Sequence, residues 1–324
     1  MLHHYIQLIR DGGQLSLEQA VEIADTAVPE ELFTAADELR RSYHQDKLDL
    51  CAIANAKSGR CSEDCKFCAQ SSFYPSDIAT YDCIEPGKAL LMARENEAHG
   101  VARFSLVTAG RSVSDEQLAA FGEIYRTLGE ETQLSFCASM GFLTPAKARK
   151  LRSFGVRRYH CNLETCRSYF AEVCTSHTWQ EKVETITIAQ QAGMEVCSGG
   201  IIGLGESRQQ RLELAIELRE LGILSIPINI LTPIANTPFA DLEPLSLKEV
   251  LIAIAMFRLI NPLAVIRLAG GRGLLAEEQH RCFNAGANGA IVGNYLTTVG
   301  QNLQQDLAMF KALGFALPKA PGSR

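Results

Sequence analysis

Three cysteines carry the most pointed chemistry in the chain. In Cys61-Ser62-Glu63-Asp64-Cys65-Lys66-Phe67-Cys68 the thiols stand at CxxxCxxC spacing, in a segment opened by Lys57-Ser58-Gly59-Arg60. Three thiolates can hold three irons of a [4Fe–4S] cube. The fourth iron then has no protein ligand from this loop and stays open to a small molecule. A zinc site normally closes with a fourth Cys or His at a second short spacing, and none follows Cys68.

Such a loop needs elements that place it and enclose what it binds. From residue 48 a unit of about 30 residues recurs, a strand followed by a helix. Strand candidates are 48–54, 102–107, 133–137, 157–162, 194–198, 224–231, 263–268 and 289–292. Between them, Ser114-x-x-Gln117, Thr178-x-x-Glu181, Ser207-x-x-Gln210 and Ser246-x-x-Glu249 predict capping boxes, and Thr144-Pro145 an N-cap with proline at the first helical position. Gly100, Gly129, Gly155, Gly193, Gly222 and Gly286 fall where helices should stop. Eight strands alternating with helices predict a (β/α)8 TIM-type barrel over 46–315, with an open doubly wound sheet as the alternative. Residues 1–45 read as an N-terminal helical extension: Ser16-x-x-Gln19 caps one helix and Pro29 opens another. Residues 316–324 read as a short tail.

The cysteine triplet follows the first strand directly, at the barrel end where active-site loops belong. Cys137, His160, Cys161, Asn162, Glu164, Cys197, Asn229 and Arg267 also collect at strand ends. A purely structural barrel would fill such positions with Val, Ile and Leu, so these residues predict a polar, ligand-filled interior.

Composition bounds the partners. Of 324 residues, 47% are hydrophobic and 21% charged, enough for a large core, and the net charge is −6. No basic run points to nucleic acid, and no apolar run of about 18 residues points to a membrane span. The N-terminus carries no basic-then-apolar signal pattern, so a cytoplasmic enzyme is expected, and its 11 cysteines are expected as cluster ligands or free thiols rather than disulfides.

CxxxCxxC with an aromatic before the last cysteine resembles the signature of the radical SAM superfamily. Within it, the stretch 55–72 resembles the cluster loop of the biotin synthases. Further stretches are similar as well: 159–165 (Tyr-His-Cys-Asn-Leu-Glu-Thr), 196–206 (beginning Val-Cys-Ser-Gly-Gly), 226–231, 266–272 (Arg-Leu-x-x-Gly-Arg) and 285–288. The resemblance runs from about residue 15 to 315. It implies sulfur insertion between C6 and C9 of dethiobiotin, with two equivalents of S-adenosylmethionine cleaved and the sulfur supplied by an auxiliary iron–sulfur cluster. It also implies a flavodoxin or ferredoxin electron donor and a homodimer. Unactivated C–H bonds resist acid–base chemistry, so the cofactor carries the hard step while the protein orients and excludes water. Two alternatives share parts of the pattern: another small-molecule radical SAM enzyme of the hydrogenase-maturation or methylornithine-synthase type, and a non-catalytic iron–sulfur protein.

Carried over by resemblance, Cys61, Cys65 and Cys68 match the radical-generating cluster ligands. Phe67 matches an aromatic near the adenine, and Glu164 an acid on the ribose hydroxyls. Gly199 and Gly200 match a close backbone approach to the nucleoside. His177 stands where some members have Arg near the methionyl carboxylate. Asn162 and Asn229 match contacts to dethiobiotin and S-adenosylmethionine, and His160 replaces an Asn at a substrate contact. For a [2Fe–2S] auxiliary cluster, Cys137, Cys197 and Arg267 match three of four ligands. The fourth position is Ser105, and a hydroxyl is a poor iron ligand beside thiolates. Cys51 on strand 1 is expected to take that role, with an auxiliary cluster that can then differ from [2Fe–2S]. Period-two alternation points Cys161 away from the chamber, Cys166 is a further candidate, and Cys83, Cys174 and Cys282 read as structural thiols.

Overall fold

Capped helices and buried strands alternate as the spacing demands. The computed structural model describes residues 1–293 and 303–317; the expected tail lies outside them beyond Leu317. The strands are β1 (Asp49–Lys57), β2 (Arg103–Thr108), β3 (Ser135–Ser139), β4 (Val156–His160), β5 (Glu195–Cys197), β6 (Gly200–Ile202), β7 (Ser225–Ile230), β8 (Val265–Leu268) and β9 (Gly289–Val292). All pair in parallel, in the order β5-β4-β3-β2-β1-β9-β8-β7-β6.

The two ends of that order are one stretch of chain. β5 pairs with β4 and β6 with β7, only Ser198 and Gly199 lie between them, and Ser198 N–H donates to Ser225 O at 3.0 Å. β5 and β6 are therefore halves of one stave. The sheet closes into a (β/α)8 barrel rather than an open sheet. The break has a steric cause: a Cβ on Gly199 would run into the Pro227 carbonyl, and one on Gly200 into that of Glu164. Periodicity alone did not expose this second half-stave.

The helices are α1 (Leu2–Arg10), α2 (Leu17–Thr26), α3 (Pro29–His44), α4 (Pro86–Ala98), α5 (Asp115–Glu131), α6 (Pro145–Ser153), α7 (Phe170–Val173), α8 (Trp179–Gln191), α9 (Arg208–Glu220), α10 (Leu247–Ile260), α11 (His280–Asn284) and α12 (Leu303–Ala312). Ser16, Ser114, Thr178 and Ser207 form full capping boxes. Ser246 forms only half of one, because the Glu249 carboxylate turns to Arg208 and Arg211 instead. Gly129 does not stop α5, which runs on to Glu131; the other five expected stop glycines do take left-handed φ.

α10 is buried from Val250 to Ile260. A helix apolar on every side needs cover on its outer face. The N-terminal helices supply it: α3 packs along α10 with Leu32, Ala36 and Leu39 inward, and α2 packs against α9 and α10.

Inside the barrel, alternation stacks the inward side chains in tiers. In-register pairing aligns Cys51 with Arg103, Ile53 and Cys137 with Ser105, Cys137 with Arg158, and His160 with Cys197. The lowest tier is charged, the middle tier carries sulfur, and the upper tier opens to the loops.

Candidate active site on two sulfur-lined levels

The mouth is organised by the loop after β1. It folds back on itself: Cys61 N–H donates to Gln70 O (2.9 Å), Ser72 N–H to Cys61 O (2.8 Å) and Cys68 N–H to Cys65 O (3.0 Å). Its acidic residues tie it to the turn before α8. Asp64 Oδ1 accepts the N–H groups of Thr175 and Ser176, each at 2.9 Å. Glu63 Oε2 lies 2.5 Å from His177 Nδ1 and accepts from Ser176 Oγ (2.9 Å) and Arg111 (3.3 Å). Burial would push the Glu63 carboxyl up, but these hydrogen bonds hold it below its ordinary value.

Burial raises the Cys61 thiol and pushes Cys68 to about 11; Cys65 is raised farther, by the neighbouring Cys174 thiol and then by burial. These thiols lose their protons on binding metal rather than beforehand.

A cavity of about 380 Å³ runs inward from the loop, bordered by Cys61, Cys65, Phe67, Cys68, Glu164 and His177 at the mouth and by His160, Cys197 and Arg267 at depth. Asn162 and Asn229 border it between. Asn229 spends one donor on Gly200 O (3.1 Å) and one acceptor site on Gly270 N–H (2.8 Å), leaving one of each for a ligand. Glu164 holds a left-handed φ of 69°, unusual for a side-chain-bearing residue, and its Oε1 lies 3.8 Å from Lys182 Nζ. Burial raises the Glu164 pKa, and Lys182 opposes that rise.

At the deep level, Cys51, Cys137 and His160 bring their ligand atoms within 4.8 Å of one another. Cys137 bonds to Cys51 and holds its thiol low, with Arg267 helping; burial works against both. Ser225 Oγ donates to Cys197 Sγ at 3.3 Å and accepts from Arg267 at 3.3 Å. Arg267 also donates to Asp49 O (3.1 Å) and Asp49 Oδ1 (2.8 Å). Below lie Arg103, 3.4 Å from Asp49, and Arg158, 2.8 Å from Glu195. Three guanidiniums thus face two carboxylates, a cradle biased toward an anionic group.

Three buried polar atoms here have no hydrogen-bond partner: Ser105 Oγ, His160 Nε2 and Arg267 Nε. Buried orphans are costly. Their convergence with three thiols fits a thiolate-held iron–sulfur group at this level.

Some expectations change. Cys161 borders the cavity rather than turning away, because β4 ends at His160 and alternation ends with it. Cys174 is not a remote structural thiol: its Sγ lies 3.7 Å from that of Cys65. Cys166 and Cys282 are buried, whereas Cys83 is exposed. Sequence reasoning passed over Glu63, Arg111 and Lys182. Lys182 had a usable signal, since the Thr178 capping box fixes it in the first turn of α8, facing the mouth.

A closed barrel whose first loop presents three cysteines over a deep polar chamber defines a radical SAM enzyme, and residues 56–218 match the Radical SAM superfamily. Residues 227–316 match the Biotin and Thiamin Synthesis associated domain. The chain is 58% identical to a biotin synthase of Desulfotalea psychrophila, over 95% of this chain and 93% of that one. It is 48% identical to a biotin synthase of Acetivibrio thermocellus, over 95% and 96%. The chain belongs to the biotin synthase family. Among solved structures, methylornithine synthase superposes with a TM-score of 0.84 at 17% identity, covering 98% of each chain. A FeFe-hydrogenase maturase from Carboxydothermus hydrogenoformans superposes at 0.80 and 17%, over 97% of this chain and 78% of that one. These two share the fold. Family membership brings a [4Fe–4S] cluster, S-adenosylmethionine and an auxiliary iron–sulfur cluster. Among the described residues no helix is long and apolar enough to cross a membrane.

Proposed function

We propose that this chain forms biotin from dethiobiotin by inserting sulfur between C6 and C9. The carrying observation is that one cavity joins a three-cysteine loop with an open ligand position to a second thiol level sunk in the barrel. A one-cluster radical enzyme needs the first and not the second. When bound, S-adenosylmethionine on the cluster supplies a carbon radical that removes a hydrogen atom, once at each carbon.

The chain's own residues bind, orient and exclude water. Cys61, Cys65 and Cys68 hold the mouth cluster. Phe67 covers the adenine and the Glu164 carboxylate accepts from the ribose hydroxyls, whereas Gly199 and Gly200, expected against the nucleoside, make room for the Pro227 and Glu164 carbonyls instead. His177, fixed by Glu63, lies on the methionyl side. Asn162, Asn229 and His160 face the ureido ring, which offers both donors and an acceptor. Cys51, Cys137 and Cys197 hold the auxiliary cluster, with Cys51 replacing the thiol lost at Ser105 and Arg267 beside it. The electron donor is flavodoxin or ferredoxin, and the enzyme works as a cytoplasmic homodimer.

The test is anaerobic turnover of the reconstituted chain with dethiobiotin, a reductant and S-adenosylmethionine. Biotin should form with two 5′-deoxyadenosines per ring closed. Cleavage of S-adenosylmethionine that ignores dethiobiotin would contradict the proposal.

A further inference from the structure

Cys174 takes no part in the sulfur-insertion reading, yet it is packed against the cluster loop. It caps α7, and its Sγ lies 3.7 Å from Cys65 Sγ and 3.3 and 3.8 Å from Nδ1 and Nε2 of His177. The ligand atoms of Cys65, Cys174 and His177 all fall within 4.8 Å of one another. Two thiolates each about 2.3 Å from one tetrahedral metal stand roughly 3.8 Å apart. The Cys65–Cys174 separation, a thiol hydrogen bond in the metal-free chain, also matches that of two ligands on a single ion. Cysteines on different irons of a cube stand farther apart, because an iron–iron edge separates them.

The surroundings complete such a site. Cys174 Sγ lies nearer Nδ1 (3.3 Å) than Nε2 (3.8 Å) of His177, so Nδ1 is the ring atom on the ion's side, and an ion there replaces the proton Nδ1 shares with Glu63 Oε2 at 2.5 Å. Asp64 Oδ1, held by two backbone N–H groups, lies 3.1 Å from Cys174 Sγ but outside that group of ligand atoms, so water takes the fourth position. Cys174 and His177 are buried.

The geometry points to a mononuclear site for a single zinc-class divalent ion, held by Cys65, Cys174 and His177 with Asp64 beside them. Two thiolates and an imidazole prefer Zn²⁺ over Fe²⁺ and suit Co²⁺ as a probe. The site excludes the [4Fe–4S] cluster, because Cys65 terminates one or the other. An ion parked there keeps the chain from loading its radical-generating cluster until the ion is removed. This exclusion rests on the proposed role of Cys65; the ion site itself does not.

The test uses the cluster-free, full-length chain with Cys51→Ser and Cys137→Ser, which silence the deep thiols. It is titrated anaerobically with Co²⁺ alone. One ion per chain should bind with the visible bands of tetrahedral thiolate coordination and be displaced by Zn²⁺. Binding should survive Cys61→Ser with Cys68→Ser, and should weaken at least about tenfold in Cys174→Ser and in His177→Gln. A spectrum indifferent to Cys174→Ser but lost with Cys61→Ser and Cys68→Ser would overturn the site, as would octahedral coordination. Circular dichroism checks folding, and either Cys174→Ser or His177→Gln alone suffices if the other fails to fold. In the wild type, zinc pre-loading should block iron and sulfide uptake until a chelator is added. Uptake undiminished by bound zinc would overturn the exclusion. A cluster that never assembles even without zinc counts against the proposed function instead.

Discussion

The mouth and the floor of the barrel assemble sulfur by opposite means. At the mouth, three cysteines lie within eight consecutive residues, and the loop needs only Asp64 and Glu63 to fasten it to the turn before α8. At the floor, Cys51, Cys137 and Cys197 come from β1, β3 and β5, brought together by barrel closure alone. The electrostatics differ too. Burial raises thiols at both levels, Cys61 and Cys68 at the mouth and Cys197 at the floor, where Cys137 is raised by its bond to Cys51 and then by burial. The floor, however, sets Arg103, Arg158 and Arg267 around its thiols to oppose that rise. A sequence-local site can be rebuilt wherever its loop folds. A barrel-borne site depends on register, so in the proposed function the thiol absent at Ser105 is supplied from the adjacent stave by Cys51.

The comparison breaks most visibly at the thiols. Cys65→Ala should remove the mouth cluster and reduce 5′-deoxyadenosine formation to background, while iron and sulfide at the floor persist. Cys51→Ser should do the reverse: the mouth cluster and cleavage of S-adenosylmethionine remain, the auxiliary cluster is lost, and biotin falls to background. Unchanged iron and sulfide in Cys51→Ser would remove Cys51 from the ligand set.

The floor's charge balance gives a smaller effect. Burial pushes the Asp49 carboxyl up, but Arg267, Arg158 and Arg103 pull it down farther, to about 2. A carboxyl depressed in the folded chain contributes stability that is present above its unfolded pKa of about 4 and lost as pH falls toward about 2. Asp49→Asn leaves Arg267 buried against a neutral amide and should cost about 3–5 kcal/mol at neutral pH. Urea unfolding of the cluster-free chain should show wild type losing its advantage between about pH 4 and 2. An advantage that persists to pH 2 would contradict the pairing.

In the proposed function Glu164 binds ribose at the mouth as a carboxylate, and Lys182 restrains its raised pKa. The KM for S-adenosylmethionine should therefore rise as pH falls. In Lys182→Met that rise should begin at higher pH, with KM up about tenfold at neutral pH, a change of about 1.4 kcal/mol. A pH profile identical to wild type would separate Lys182 from Glu164. The smallest effect belongs to neither level: Ser114→Ala removes the α5 cap and should cost about 1 kcal/mol of stability without altering either cluster.

How far the sequence discloses each level follows from the same contrast. The mouth cluster is spelled out in one loop, and the caps at Ser114, Thr144, Thr178 and Ser207 mark the helices that separate the staves. The floor is legible only once the staves are counted. Cys51 then falls one period of alternation below Ile53, the in-register neighbour of Ser105. The broken stave at Gly199 escaped periodicity because three-residue strands carry too few alternations to register. Cys161 escaped because alternation fails where β4 ends. Cys174 escaped because a four-residue helix and a turn carry it to Cys65, 109 positions away in sequence.

Mössbauer spectra with iron and sulfide counts, taken after anaerobic reconstitution of wild type and Cys137→Ala, test the two-level account most directly. Two distinct clusters in wild type, with the deep one absent from the variant and the [4Fe–4S] cluster intact, is the predicted result. A single [4Fe–4S] signal, unchanged by the substitution, would contradict it.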